Sequence, residues 1–254
     1  MEVHKHPHHV THKKKWTEYM LEFFMLFLAV FLGFIAENVR ETLAEKHREK
    51  EYVHSMIDDL KIDTAKMRDA FTSVSEQING TDSLINAWYS KPSSDSAMRY
   101  MYYLYRHYTA SGVKMDFTMR TIDQLKNAGG MQLIRNKMAS DSIINYYLYV
   151  EIADRQYSIF RDKFQHEALL TSYSIFDWSY FRGIANSLYA SQVLSSQRKF
   201  VLLHATEQEQ NKYIAQMQVA LAVLKNYLGM LSDQQQRGNR LIAVLQKEYH
   251  LENE

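Results

Sequence analysis

The chain contains no cysteine, only two prolines and only eight glycines in 254 residues. The lack of cysteine excludes disulfide bonds and thiolate metal sites, and it is compatible with either a reducing or an oxidising compartment. Sheet proteins need many turns, and turns are rich in glycine and proline, so the scarcity of both favours long helices. The composition therefore predicts an all-α fold.

An excess of charge of one sign is also missing, because 30 basic residues balance 29 acidic ones to a net charge of +1. A nucleic-acid-binding protein would show excess basic charge on one face, so we expect no nucleic-acid partner. Glycine-rich phosphate loops, the G-x-S-x-G nucleophile motif and the H-E-x-x-H zinc motif do not occur in the sequence. We therefore expect no cofactor and no catalytic activity.

Two patterns bear on metal binding, and both are weak. Residues 1–15 form a tail with four lysines and five histidines, which lacks apolar periodicity and is predicted to be disordered. Neutral imidazoles in such a tail would give only an unselective metal site. Glu51 and His54 match half of a di-iron motif, but a second Glu-x-x-His pair does not exist in the chain. We expect no bound metal.

One apolar stretch interrupts this water-soluble composition. Residues 23–36, FFMLFLAVFLGFIA, carry no charge, and with the segment back to Trp16 the stretch measures about 31 Å as a helix. A cleaved signal peptide is the main alternative, but a small-x-small cleavage site followed by a break is missing. Ala36 instead leads directly into charged, helix-forming sequence. We therefore predict a transmembrane helix over residues 16–36 and a lipid bilayer as its partner.

The orientation of this helix follows from what flanks it. Basic residues on the two sides are equal in number, but a compact lysine triplet at Lys13, Lys14 and Lys15 resists crossing a membrane. Residues 37–254 form a large domain, and large domains cross largely regardless of charge. We predict a bacterial inner-membrane protein with a cytoplasmic tail and a periplasmic helical domain.

An apolar seam continues beyond the predicted span. Stepping by three and four residues from Glu22 meets apolar positions that predict one helix over about residues 17–78. These positions include Met25, Ala29, Leu32, Val39, Leu43, Val53, Ile57, Leu60, Met67, Phe71, Val74 and Ile78. The seam fits either an amphipathic helix packed against its own domain or a parallel homo-oligomer. Ala29 and Gly33, small residues four apart, favour close approach of transmembrane helices, whereas Lys46 and Lys50 on the seam oppose a tight dimer.

The remaining helices are predicted from caps and breakers, and they indicate an antiparallel bundle. Asn79 and Gly80 predict a break, after which Thr81 or Asp82 would cap a short helix. A loop is predicted over 91–95, followed by a helix over 97–108 and a helix over 117–127 that Asp116 would cap. A long helix over 142–170 would begin at Ser140 or Asp141, and an irregular aromatic region over 171–195 follows it. A capping box of Thr206 and Glu209 predicts the start of a final helix.

Two segments resemble an uncharacterised family of bacterial membrane proteins. They are TIDQLKNAGGMQLIRNK at residues 121–137, followed by Tyr146 and Tyr147, and IDDLKIDT at residues 57–64. Members of that family, abundant in Bacteroidota, have one N-terminal transmembrane helix and a helical domain of unknown function. The resemblance implies single-pass topology and a helical fold, and it implies no activity. The anchor departs from the family pattern, because it is rich in phenylalanine rather than in Ile, Val and Gly.

The longer of these segments has the pattern of a structural junction, with a ligand site as the alternative. Its leucine and isoleucine side chains suit a core, the paired glycines suit a helix end, and the asparagine suits a cap. These residues are Leu125, Gly129, Gly130, Leu133, Ile134 and Asn136.

Glu22 is the acid inside the predicted span. An intramembrane acid is costly and usually has a partner or lies on an ion pathway, which makes a contact with a polytopic membrane protein one interpretation. The alternative is structural, because Glu22 lies near the interface, where it could reach the polar region and form an i, i+4 ladder with Glu18 and Lys14.

Together these features favour a single-pass, membrane-anchored scaffold, accessory or interaction protein without catalytic activity. One alternative is a subunit of an ion-coupled or energised membrane complex that uses Glu22. A second alternative is a ligand-sensing helical domain with an aromatic pocket formed by Tyr102, Tyr103, Tyr146 and Trp178.

Overall fold

The structure is a computed structural model that describes residues 15–109, 112, 114–127, 129–184 and 186–251. The predicted tail, with its five histidines, lies outside the described residues apart from Lys15. Within the described residues the chain is all-α, as predicted, and its only strand-like feature is one antiparallel bridge between Phe176 and Leu202.

Six α-helical segments account for most of the fold. The segments are α1 (Trp16–Tyr89), α2 (Asp95–Leu104), α3 (Arg120–Asn127), α4 (Lys137–Ile159), α5 (His166–Ser172) and α6 (Glu207–Tyr249). A π-helical turn at Tyr105–Thr109 follows α2, and another at Phe160–Gln165 joins α4 to α5. Short 3-10 helices at Gly130–Leu133, Trp178–Phe181 and Ser187–Val193 complete the connections.

The chain divides into two compact units, Met1–Glu51 and Tyr52–Glu254. Of the first unit, residues 16–51 are α-helical and belong to α1. The second unit is a helical bundle that contains the rest of α1 and all later helices.

Within the bundle, α1 and α6 run antiparallel. Gln235 Nε2 donates to the Thr64 carbonyl oxygen (3.4 Å), while Gln218 Nε2 donates to the Tyr89 hydroxyl (3.3 Å). Residues later in α1 therefore contact residues earlier in α6. Helix α4 packs on α6 in the same sense through Gln234 with Tyr146 and Tyr227 with Tyr157.

The apolar seam of α1 forms part of the bundle core. Val53, Ile57, Leu60, Met67, Val74 and Ile78 are all buried. They divide between a smaller core cluster with α3, α4 and the end of α6, and a larger, aromatic-rich cluster with α2 and the rest of α6. Over residues 53–78 this confirms the interpretation of the seam as one face of an amphipathic helix packed against its own domain.

The predicted helix break at Asn79 and Gly80 is wrong, because α1 continues without interruption to Tyr89. A Cβ atom at Gly80 would collide with the ring of Tyr108, so the glycine gives that ring room to lie against the helix backbone. Thr81, predicted as a helix cap, is instead buried inside α1. The glycine serves packing between elements, and its cost to the helix is about 1 kcal/mol, too little to end it.

Two other predicted helix starts are also wrong. Helix α3 begins at Arg120 rather than after Asp116, and α4 begins at Lys137 rather than after Ser140. The predicted ends at Asn127 and near residue 170, the loop before α2 and the Thr206 capping box with Glu209 are confirmed.

Candidate functional site

The first part of α1 exposes a continuous apolar surface. Its fifteen large apolar side chains between Trp16 and Ile35 have exposed fractions from 40% to 78%. None of the most apolar 18-residue window is buried by other described residues. In the described part of the chain α1 is the one helix long and apolar enough to cross a membrane, and a signal sequence would satisfy the same criteria.

This segment has two chemically different faces. With about 100° of rotation per residue, Glu22, Ala29 and Gly33 fall within about 40° of each other around the helix. Phe23, Phe27 and Phe31 lie about 80–180° away from these residues around the helix, and they stack on each other with ring centroids 6.4 and 5.8 Å apart. The structure thus places the three predicted contact residues on one face, away from the aromatic ridge.

The Glu22 face is open to an approaching helix. Ala29 is exposed, and a Cβ atom placed on Gly33 would meet no other atom within 4 Å. Glu22 is exposed on the same helix, while Lys14, its predicted ladder partner, lies outside the described residues. Just beyond the segment, Arg40 Nε donates to Glu37 Oε2 (2.9 Å), and this contact lowers the pKa of the Glu37 carboxyl. Charged side chains therefore resume directly after the apolar stretch.

The half-motif for a di-iron site, Glu51 with His54, gains no further candidate ligands in the described part of the chain. Glu51 lies beside His47, with a carboxylate oxygen 3.4 Å from the imidazole Nε2, and both side chains are well exposed. No group of three or more histidine and acidic side chains suited to a metal ion occurs among the described residues.

Two buried aspartates on α1 hold the segment that leads into α3. Asp63 accepts from the Thr118 amide (2.9 Å) and hydroxyl (2.7 Å), while Asp59 accepts from the Thr121 amide (3.0 Å) and hydroxyl (2.5 Å). Arg120 also donates to Asp59 at 2.6 Å, although the arginine side chain is 58% exposed. Segment 57–64, which contains both aspartates, therefore contacts the start of the other resemblance segment, residues 121–137.

These carboxylates replace a local helix cap. The residue before α3 is Met119, whose side chain is a poor hydrogen-bond acceptor, so the first turn of α3 receives its acceptor from another helix. The negative charge of Asp59 also lies at the N-terminal, positive end of the α3 dipole. Burial raises the pKa of Asp63, and the hydrogen bonds from Thr118 and the charge of Lys66 oppose that rise.

The predicted junction residues surround the turn between α3 and α4. Leu125 and Ile134 are buried in the smaller core cluster, and Leu133 packs against it. Gly129 has a φ of 115°, a conformation that favours glycine, and Gly130 begins the following 3-10 helix. The chain reverses direction at this turn, and apolar side chains before and after the turn anchor it to the core.

Asn136 closes this junction by capping α4. Its side-chain oxygen accepts from the Ala139 amide at 3.0 Å, and its Nδ2 donates to Glu248 Oε2 at 2.7 Å. One asparagine thus begins α4 and links it to the end of α6.

The aromatic residues of the ligand-sensing alternative do not form one pocket. Tyr102 belongs to the larger core cluster, with Tyr103 packed against it, and Tyr146 belongs to the smaller one. The Tyr102 hydroxyl donates to the Val201 carbonyl (2.7 Å) and accepts from the Asp177 amide (2.9 Å). The hydroxyl group of Tyr102 is therefore already hydrogen-bonded to backbone groups of the protein itself. Trp178 lies at the surface of the larger cluster, 36% exposed.

Sequence reasoning missed Asp59 and Asp63 as architectural residues. The sequence contains a signal for Asp63. Positions spaced by three and four residues from Met56 are Leu60, Asp63, Met67, Ala70 and Val74, which is the pattern of a buried helix face with one acidic residue in it. Both carboxylates are fully buried. A charged group at such a position requires partners, which here are hydroxyl, amide and guanidinium donors.

Comparison of the chain with protein-family models, with curated proteins and with solved structures found no match in any of the three. The resemblance to a Bacteroidota family of membrane proteins therefore stays a prediction.

Proposed function

We propose that the chain is a single-pass, membrane-anchored helical scaffold, accessory or interaction protein, without a catalytic role. The observation that carries this proposal is the contrast between two parts of α1. In the bundle the apolar seam residues are buried, apart from the partly buried Phe71, whereas the large apolar side chains of residues 16–36 are all exposed. Water-soluble proteins rarely expose a continuous apolar patch of more than a few hundred Å².

The magnitude of this exposure favours a bilayer. Full burial of a large apolar side chain is worth about 1.5–3 kcal/mol, so fifteen of them represent tens of kcal/mol. The net stability of a folded domain is only about 5–15 kcal/mol. The length of the segment, about 31 Å as a helix, matches the hydrocarbon core of a membrane.

The proposed location is the bacterial inner membrane, with the tail in the cytoplasm and the helical domain in the periplasm. Support comes from the lysine triplet before the segment and from the size of the domain after it.

Membrane extraction with matched charge insertions tests the anchor. Replacing both Leu28 and Phe31 with arginine adds about 5–7 kcal/mol to the cost of insertion, so carbonate should release this variant from membranes. Replacing Val39 and Leu43 with arginine is the control, because both are exposed on α1 beyond the segment. The control should stay in the membrane pellet with the natural protein. Equal behaviour of the two variants would contradict the anchor.

A second candidate function is favoured by the position of Glu22 on the same face as Ala29 and Gly33. In this alternative the face contacts a polytopic partner in an ion-coupled or energised complex, and Glu22 takes part in the coupling. Glu22→Gln should then leave insertion and complex assembly intact while abolishing the activity of the complex. A Glu22→Leu variant without any effect would exclude this alternative.

A further inference from the structure

A basic pocket lies between α4 and α6, on the bundle surface. Its volume is about 330 Å³. Its lining residues are Ser142, Asn145 and Tyr146 from α4, and Arg237, Arg240, Leu241 and Val244 from α6. Its lining includes two guanidinium groups, two hydroxyl groups and an amide, and no acidic side chain. The pocket wall thus combines positive charge with hydrogen-bond donors.

Arg237 is held in place by an aromatic ring. Its Cζ atom lies 3.4 Å from the centroid of the Tyr149 ring, a cation–π contact that holds the guanidinium against the ring. The Nε atom of Arg237 is buried and has no hydrogen-bond partner among the described residues. A buried charged donor without an acceptor is rare in folded proteins and calls for a bound ion or water.

Tyr146 contributes a buried ring to the pocket wall. Gln234 of α6 holds this tyrosine, because its Nε2 donates to the Tyr146 carbonyl oxygen (3.2 Å). Burial raises the pKa of the Tyr146 hydroxyl, and a hydrogen bond with the Gln234 side chain opposes that rise. The pocket wall is therefore fixed on the α4 side, while the two arginines of α6 supply its positive charge.

We propose that this pocket binds a phosphate group. Guanidinium groups match the geometry of oxyanions through paired N–H bonds, and two arginines with a serine and an asparagine offer more donors than the two oxygens of a carboxylate can accept. The volume exceeds that of a phosphate ion, and Leu241 and Val244 provide an apolar wall for an attached group. The ligand class is a phosphate ester, supplied either by a soluble molecule or by a lipid headgroup.

Binding to the detergent-solubilised full chain tests this site, with inorganic phosphate and glycerol phosphate as probes and chloride at matched ionic strength as reference. Arg237→Gln should weaken phosphate binding at least tenfold, because it removes charge-assisted hydrogen bonds. Arg240→Gln should weaken it several-fold, and since Arg240 is exposed this variant keeps the fold. Arg198→Gln is the matched control, because Arg198 also stacks on a tyrosine, Tyr180, at 4.4 Å, but lies outside the pocket. Its affinity should change less than twofold.

A parallel arm separates the two sources of phosphate. The natural chain and Arg240→Gln are placed in nanodiscs of phosphatidylcholine with or without phosphatidic acid, and bound lipid is counted by native mass spectrometry. Arginine-dependent retention of phosphatidic acid alone assigns a lipid headgroup, whereas arginine-dependent binding of the soluble probes assigns a free ester. Absence of both, or equal losses in Arg198→Gln and Arg240→Gln, would overturn the proposal. The test does not depend on the anchor, since detergent keeps the chain soluble in either case.

Discussion

Asp59 on α1 supplies the cap for α3 by accepting from both the amide (3.0 Å) and the hydroxyl (2.5 Å) of Thr121. Both side chains are fully buried, although 62 residues separate them in the chain. A short helix whose preceding residue is Met119 would otherwise leave its first-turn amides without an acceptor. The start of α3 is therefore defined by a contact between helices rather than by local sequence.

Removal of this cap should destabilise the bundle. Asp59→Ala is expected to lower the free energy of unfolding by about 2–4 kcal/mol, because the buried Thr121 hydroxyl and amide lose their acceptor. Urea unfolding followed by circular dichroism measures the change. Asp58→Ala is the control, since Asp58 is the exposed neighbour on the same helix and its loss should cost less than about 0.5 kcal/mol.

A double-mutant cycle completes this test. Thr121→Val combined with Asp59→Ala should cost clearly less than the sum of the two single changes, because both remove the hydrogen bond from the Thr121 hydroxyl to Asp59. Strict additivity would show that the two residues do not interact.

Asp63 should make stability depend on pH in a defined direction. Because burial raises its pKa in the folded state, the folded protein holds this proton more tightly than the unfolded chain does. Its contribution therefore favours folding below the ordinary aspartate pKa of about 3.9, and that contribution is lost as pH rises through the raised value. The groups around the carboxyl are Thr118, Lys66, Asp59, Tyr146 and Tyr147.

Asp63→Asn isolates this effect, because the amide keeps the shape and one acceptor oxygen for Thr118. The unfolding free energy of the natural protein minus that of the variant should fall as pH rises from the acid range to neutrality. The exposed Asp69→Asn variant should show much less change over the same range. A difference that grows with pH would mean that Asp63 has a lowered pKa.

The two parts of the α1 seam should respond differently to the same substitution. Leu60 is fully buried in the bundle, whereas Leu43 is 60% exposed. Leu60→Ala should cost about 2–5 kcal/mol through lost burial and a residual cavity, and Leu43→Ala less than about 0.5 kcal/mol. Urea unfolding of both variants provides the measurement. Similar losses would indicate that Leu43 is covered by a partner, such as a second copy of the chain.

The Glu22 face should carry any contact within the membrane. Gly33→Ile fills space that a neighbouring helix would need, so association should weaken by about 1–2 kcal/mol, which is about five- to thirtyfold. Phe34→Ile is the control, because Phe34 points about 100° away from Gly33 around the helix. Cross-linking in membranes or sedimentation in detergent measures association. A stronger effect at Phe34 would place the contact on the aromatic face.

Local sequence patterns were sufficient to predict those features of the fold that depend on residues close together in the chain. The scarcity of glycine and proline predicted an all-α fold, and Thr206 with Glu209 predicted the start of α6, because a capping box involves only residues three positions apart. The buried seam at Val53, Ile57 and Leu60 also followed from periodicity alone.

Features set by distant contacts could not be predicted in this way. Gly80 lies inside α1 because Tyr108 packs on it, which no neighbouring residue indicates. The start of α3 depends on Asp59, and the basic pocket depends on the pairing of α4 with α6. In each case tertiary contacts override local propensity.

The fate of residues 16–36 tests the central claim most directly. Intact-mass analysis of the protein recovered from carbonate-washed membranes should give a mature chain that still contains these residues, because the segment is proposed to stay in the bilayer as an anchor. A product found in the soluble fraction, or a mature N-terminus located after Ala36, would contradict the account and identify the segment as a cleaved signal.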